Sequence, residues 1–239
     1  MRGARYLHRM DLESLASPSI AADLDAKGFA TTGRLLGARE CAALARLYDD
    51  DALFRSRVVM AAHGFGRGEY KYFAAPLPPL VEALRRDAYP SLAPIANAWA
   101  GRLGDDRFPE ELDALADLCR AAGQTRPTPL LLKYGEGDEN CLHQDIYGAV
   151  AFPLQLAILL TEPGVDFDGG ELVLTEQRPR MQSRVEVVPL RRGDGVVFAT
   201  RHRPVAGTRG DYRVSMRHGV SRVRRGRRFT LGVIFHDAE

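Results

Sequence analysis

This 239-residue sequence predicts a mainly β protein with α elements: a double-stranded β-helix (jelly roll) core with N-terminal helices packed on its outside. Three observations lead there. Up to Gly123 apolar residues recur mostly at helical spacing, punctuated by Gly and Pro. Beyond Gly123, short β-rich runs alternate with turn clusters to the end of the chain. Finally, His143-Gln144-Asp145 on one such run is answered 73 residues after Asp145 by His218 on another, and a jelly roll gathers distant strands around one central site. The expected organisation is a mainly helical part at 1–125, with a β-like Gly/Tyr segment at 56–73 and packed on the core, followed by the core itself at 126–239.

Residues 11–27 read as a helix through Leu12, Leu15, Ile20 and Leu24, with Pro18 as an interruption. Residues 37–54 read as a second helix through Cys41, Leu44, Leu47 and Tyr48, and Gly28, Gly33 and Gly37 punctuate the link between the two. Residues 56–62 are β-like, His63 to Gly68 a loop, Glu69 to Phe73 a strand, and Ala75 to Pro79 a turn. Residues 79–103 and 109–122 read as helices, with Pro90 and Pro94 bending or splitting the first. Eight strands follow, near 128–134, 141–147, 152–160, 171–174, 184–189, 194–199, 213–218 and 228–236.

Composition narrows the function classes. With 45% hydrophobic residues the chain can bury a substantial core, and no run of 18 apolar residues marks a membrane span. The charged start, Met1 to Tyr6, has no apolar stretch behind it and no look of a signal peptide. Cys41, Cys119 and Cys141 form no CxxC, which fits a reduced cytoplasm. Oligomeric state is not readable. Net charge is only +2, but Glu176 to Arg228 holds fifteen Arg against four acids. Such a cluster is either the footprint of a polyanion binder or the composition of an Arg-rich, Lys-poor chain.

The chemistry rests on His143, Asp145 and His218. Two imidazoles and one carboxylate on one face of a metal leave three positions open, the arrangement of non-haem Fe(II) oxygenases. On an extended segment His143 and Asp145 point the same way. A lone HxD is also a common solvated turn, so the weight falls on His218 and on Arg228 ten residues later. His63, His202 (in a basic loop) and His236 compete for the distal role but lack an Arg-bearing apolar strand after them. Period-two alternation sets Arg228, Thr230, Gly232 and Ile234 on one face of the last strand, opposite the apolar Phe229, Leu231, Val233 and Phe235. A guanidinium inside a barrel needs an anion, and the far carboxylate of 2-oxoglutarate would supply it. The competing reading leaves Arg228 in the exposed run from Arg224. Thr230 is a second donor to that carboxylate, and Tyr134, nine residues before His143, is either a cofactor contact or an ordinary barrel aromatic. Cys141 lies two before His143 on the same expected face, as a small buried thiol or as a ligand.

These residues, with the Asp168-Gly169-Gly170-Glu171-Leu172 turn, resemble the Fe(II)/2-oxoglutarate-dependent oxygenase superfamily. The Tyr134 to His143-Gln144-Asp145 interval is similar to AlkB-type nucleic-acid dealkylases. Across 126–237, through Pro127 to Leu132, Leu174 to Arg180 and Arg217 to Arg222, the chain resembles a bacterial oxygenase family predicted to repair alkylated DNA bases, and the 64–70 segment fits it too. The resemblance implies Fe(II) on His143, Asp145 and His218, with 2-oxoglutarate held by Arg228, Thr230 and Tyr134, and O2 as oxidant. It implies damaged or single-stranded DNA as partner, with Phe65, Tyr70 or Tyr72 stacking on a base and Arg67, Arg201, Arg203, Arg213, Arg222 and Arg224 near phosphates. Ile234 stands where AlkB-type enzymes carry a second Arg, and Leu132 where they carry Asn. The Asp-Gly-Gly-Glu-Leu turn is equally at home in prolyl-hydroxylase-like proteins. Two alternatives follow: a hydroxylase of a protein side chain or free amino acid, and a non-catalytic or zinc-binding jelly roll in which Cys141 and His143 serve a closed structural site.

Overall fold

The computed structural model describes residues 12–239. After a 3-10 turn the chain forms α1 (Pro18–Lys27), β1 (Phe29–Arg34) and α2 (Ala38–Arg46), then β2 (Phe54–Val59), β3 (Gly66–Arg67) and β4 (Glu69–Phe73). Helices α3 (Pro79–Leu103) and α4 (Leu112–Ala121) precede β5 (Leu130–Tyr134), β6 (Glu139–His143), β7 (Leu154–Leu159), β8 (Phe167–Gly169) and β9 (Leu172–Gln177). The chain closes with β10 (Arg184–Val188), β11 (Asp194–Ala199), β12 (His202–Gly207), β13 (Gly210–Val220), β14 (Val223–Gly226) and β15 (Arg228–Val233).

Two antiparallel sheets face each other. The larger runs β1-β11-β7-β15-β5-β4-β2 and the smaller β10-β9-β13-β6-β3, with β12 also paired to β13. The eight strands expected after Gly123 are β5, β6, β7, β9, β10, β11, β13 and β15, and they divide four to each sheet as a jelly roll requires. The segment before residue 126 adds strands to both sheets: β1 caps one edge of the larger, β4 and β2 extend the other, and β3 borders the smaller.

The link between the first two helices is therefore a strand, not a loop. Phe29 to Arg34 pairs with β11, with a bulge near Gly33. The second helix ends at Arg46 instead of running to 54, and 3-10 turns take the chain on to β2. Prolines 90 and 94 do not split α3. Its buried face, including Val81, Leu84, Tyr89 and Leu92, packs with Leu131, Ile158, Leu231 and Phe235 on the back of the larger sheet. Tertiary burial outweighs the two lost hydrogen bonds. Arg85 ties this helix to the end of β15 by donating to the Ile234 and Phe235 carbonyls and pairing with Asp237 at 2.7 Å. No helix among the described residues is long and apolar enough to cross a membrane.

Candidate active site

The two inner faces enclose a cavity of about 220 Å³. The smaller sheet brings the polar cluster. On β6 and β13, His143 and His218 stand directly opposite one another, with ring centroids 4.2 Å apart. Asp145 follows β6 in the next loop. One ligand atom from each of the three lies within 4.8 Å of the others. His218 Nε2 is 3.1 Å from Asp145 Oδ2, and His143 Nε2 is 3.5 Å from Oδ1. The His143 Nδ1 donates to the Cys141 carbonyl at 2.8 Å, which fixes the ring and turns the Nε2 lone pair to the cavity. Gln144 points the other way and staples the loop, donating to the Met216 and Arg201 carbonyls.

Burial opposes charge on Asp145, but the neighbouring His218 and His143 hold its carboxyl well below the usual range. Burial keeps His218 below the usual imidazole value. Tyr147 donates to Asp145 Oδ1 at 2.7 Å, and Gln155 on β7 donates to Oδ2 at 2.9 Å. Two imidazoles and a carboxylate, oriented by outer hydrogen bonds and open on the cavity side, are a donor set that fits a divalent iron.

The larger sheet forms the opposite wall. Arg228, Thr230, Gly232 and Ile234 all line the cavity from the β15 side, beside Leu130, Leu132 and Tyr134 of β5 and Tyr70 and Tyr72 of β4. Arg228 is 3% exposed and pairs with no carboxylate among the described residues. It donates to Thr230 Oγ1 at 2.6 Å and stands 5.5 Å from the Tyr134 ring centre, while its Nε has no partner. Burial pushes its pKa below the usual guanidinium value. Burial likewise raises the Tyr134 phenol to about 12, so it stays a neutral hydroxyl, 3.3 Å from the Asn140 amide. A buried cation without an anion is costly, so this wall fits a ligand carboxylate.

Several sequence expectations need correction. Cys141 is exposed and does not share a face with His143. A bulge between the His218–His143 and Val220–Asn140 pairs shifts the alternation, so Asn140 lines the cavity instead. With the thiol outside, a closed zinc site through Cys141 and His143 is not formed. His202 lies on β12, paired with Ser215, not in a loop. Arg203 cannot grip a phosphate. It is 2% exposed, its Nε donates to Glu176 at 2.9 Å, and a second nitrogen reaches the Asp25 carbonyl. Of the fifteen clustered arginines, eight (178, 184, 192, 203, 213, 222, 224 and 225) have a carboxylate within 4.0 Å, so much of the basic field is neutralised locally. Arg222 pairs with Glu139, and Arg213 with Asp105. Arg67 sits exposed on β3, and Arg201 lines a separate cleft between α3, α4 and the loop after Asp145. Tyr72 is buried and packs edge-on against Tyr70 and Tyr147. Phe65 is the exposed aromatic on the cavity lining, stacked on His63. Sequence reading passed over Tyr147, Asn140 and Gln155. The signal for Gln155 was present, as the one polar residue in the apolar run Leu154 to Leu159.

Residues 68–238 match the model of a family described as an oxygenase catalysing oxidative methylation of damaged DNA. The chain belongs to this oxygenase family. Relatives include two Mycobacterium tuberculosis proteins, Uncharacterized protein Rv2227 of strain H37Rv and Uncharacterized protein MT2286 of strain CDC 1551. Each is 50% identical over 167 residues, covering 70% of this chain and 72% of the relative. Similar solved structures include a Trichoplax adhaerens prolyl hydroxylase in complex with a hypoxia inducible factor peptide fragment. Its TM-score is 0.61 at 17% identity, over 95% of this chain and 90% of that one. A Pseudomonas putida prolyl-4-hydroxylase reaches 0.53 at 17% identity, over 94% and 100%. The alpha-ketoglutarate dependent epimerase SnoN of nogalamycin biosynthesis reaches 0.54 at 16%, over 95% and 84%. These likenesses show that the chain shares the jelly-roll fold of these proteins.

Proposed function

We propose that this oxygenase is Fe(II)- and 2-oxoglutarate-dependent and removes alkyl groups from nucleic-acid bases. The observation that carries the reading is Arg228: a buried guanidinium without a carboxylate, on the wall of the cavity that also holds His143, Asp145 and His218. The three side chains would hold iron. Arg228 would hold the far carboxylate of 2-oxoglutarate through paired N–H donors, with Thr230 and Tyr134 as lesser contacts. When bound, iron couples O2 and the decarboxylation of 2-oxoglutarate to succinate and CO2 to insertion of one oxygen into a substrate C–H bond. An N-methyl hydroxylated in this way collapses to formaldehyde and the free base.

The cavity walls are Leu130, Leu132, Leu156, Ala157, Phe198 and Val220 with a tyrosine lining, which keeps water away from the reacting carbon. A base must leave its stack to enter, so single-stranded or flipped-out substrate is favoured. Tyr70, Tyr72 and Phe65 present ring faces or edges on the way in. Arg67, Arg201, Arg213, Arg222 and Arg224 are the exposed candidates for phosphate contacts.

The test is succinate and formaldehyde release from Fe(II)-reconstituted protein across alkylated oligonucleotides, peptides and free amino acids. Formaldehyde from an N-methylated single strand is expected. Succinate coupled to a hydroxylated peptide or amino acid, with oligonucleotides inert, would move the assignment to a side-chain or amino-acid hydroxylase.

A further inference from the structure

Gln155 is 5% exposed on the cavity face of β7, where it pairs with Phe198 of β11. Its amide nitrogen lies 2.9 Å from Asp145 Oδ2 and 3.4 Å from His218 Nε2. A carboxylate only accepts hydrogen bonds, so the amide must face it with its NH2 end. That leaves the Oε1 pointing elsewhere, and this oxygen is buried without a partner among the described residues. Buried carbonyl oxygens without partners are uncommon, and this one belongs to a residue of the cavity wall, where a donor on a ligand that displaces the neighbouring side chains would satisfy it.

Asp145 is thus gripped at both oxygens. Tyr147, two residues on, holds Oδ1 from the same loop. Gln155 reaches it from the larger sheet, the sheet that carries Arg228. The amide therefore ties the polar cluster on one sheet to the wall that would hold the cosubstrate on the other.

We propose that Gln155 is a positioning residue whose amide nitrogen fixes the Asp145 carboxylate and whose carbonyl oxygen receives a hydrogen bond from the exocyclic amino group of a substrate base. The first half depends on the metal site alone. The second rests on the nucleic-acid reading above.

Gln155→Met keeps length and volume and removes both polar ends. Co(II) titrated into the metal-free protein reads the first half without turnover. Gln155→Met is expected to bind Co(II) about tenfold or more weakly, with shifted visible absorption bands, because outer-shell partners of metal ligands typically carry that much affinity. Wild-type affinity and an unchanged spectrum would overturn the positioning role. The second half is read as product formed per 2-oxoglutarate consumed, on oligonucleotides bearing an N-methylated base with an amino group or one with carbonyls only. A loss of coupling several-fold greater on the amino-bearing base is expected, and an equal loss on both overturns it. Gln155→Asn, whose amide falls one methylene short, gives the same readings if the Met variant does not fold. Failure of the parent reading looks different. Wild-type protein that binds no Co(II), or binds it equally well after His143→Ala, removes the metal site, whereas turnover of peptides but not oligonucleotides removes only the base.

Discussion

Arg203 and Arg228 are almost equally hidden, at 2% and 3% exposure, yet the regions around them are built on opposite principles. Around Arg203 the protein supplies its own anion. Glu176 on β9 meets it across β13, Arg178 donates to the same carboxylate, and the Asp25 carbonyl closes the shell from α1. Around Arg228 the protein supplies aromatic rings and one hydroxyl, and leaves the guanidinium nitrogens short of acceptors. A buried arginine is structural or ligand-binding according to whether its counter-charge comes from the chain. Burial alone does not distinguish them.

Exchanging the two arginines for methionine in turn is the hardest test of that contrast. Arg203→Met should destabilise the fold by about 3–5 kcal/mol, since it removes one partner of a buried ion pair, and should leave 2-oxoglutarate affinity unchanged. Denaturant unfolding and calorimetry measure the two. The same region gives a pH dependence. Burial works against the charge on Glu176, but hydrogen bonds from Arg178 and Arg203 hold its pKa below the ordinary value. Its stabilising contribution is therefore complete above the unfolded carboxyl pKa of about 4.3 and is lost as pH falls through the lower folded value. Glu176→Gln should remove that part of the acid sensitivity. If unfolding of the variant follows pH as the wild type does, the pair is not the source.

Arg228→Met should do the reverse. Loss of one partner of a buried charge pair costs about 2–3 kcal/mol of binding, roughly a hundredfold in 2-oxoglutarate affinity. Stability should hold or rise slightly, because an unpaired buried cation has gone. A folded Arg228→Met protein that binds 2-oxoglutarate as tightly as wild type would erase the distinction. Smaller effects sharpen it: Thr230→Val and Tyr134→Phe should each weaken 2-oxoglutarate by about threefold to tenfold, the worth of one hydrogen bond of about 0.5–1.5 kcal/mol. The smallest belongs to the surface. Arg222→Gln breaks the exposed pair with Glu139 and should change stability by less than about 0.5 kcal/mol. If Arg222 touches a phosphate, the slope of single-stranded DNA affinity against salt falls by roughly one unit.

The sequence could not separate the two arginines. Glu176 lies 27 residues from Arg203 and meets it only through the folding of three strands. The inward position of Arg228 was legible because its evidence is local: an apolar strand, period two, ten residues past His218. The same holds for the eight core strands, each bounded by turn residues. β1 and β12 escaped because Gly33 weakens one run and Pro204 demotes the other, and both occupy edge positions where such residues are tolerated. The parity argument worked for β15 and failed for Cys141, where a bulge inserts a step that no residue type announces. Gln155 needed the opposite sheet to be in place before its contact with Asp145 had meaning.

The Gly-Gly turn opening β9 has a further consequence. Gly169 and Gly170 both adopt positive φ, and a Cβ at Gly170 would stand 2.9 Å from Cδ of Arg228. Room for the Arg228 stem therefore depends on a missing methyl group in the turn between β8 and β9. If Arg228 holds the second carboxylate of a diacid, as proposed, the turn would act as a length gauge for how far from the His143–Asp145–His218 cluster that carboxylate must reach. Gly170→Ala should displace the Arg228 stem and change the preference among diacids one methylene shorter or longer than 2-oxoglutarate, which competition binding would show as an altered affinity ratio.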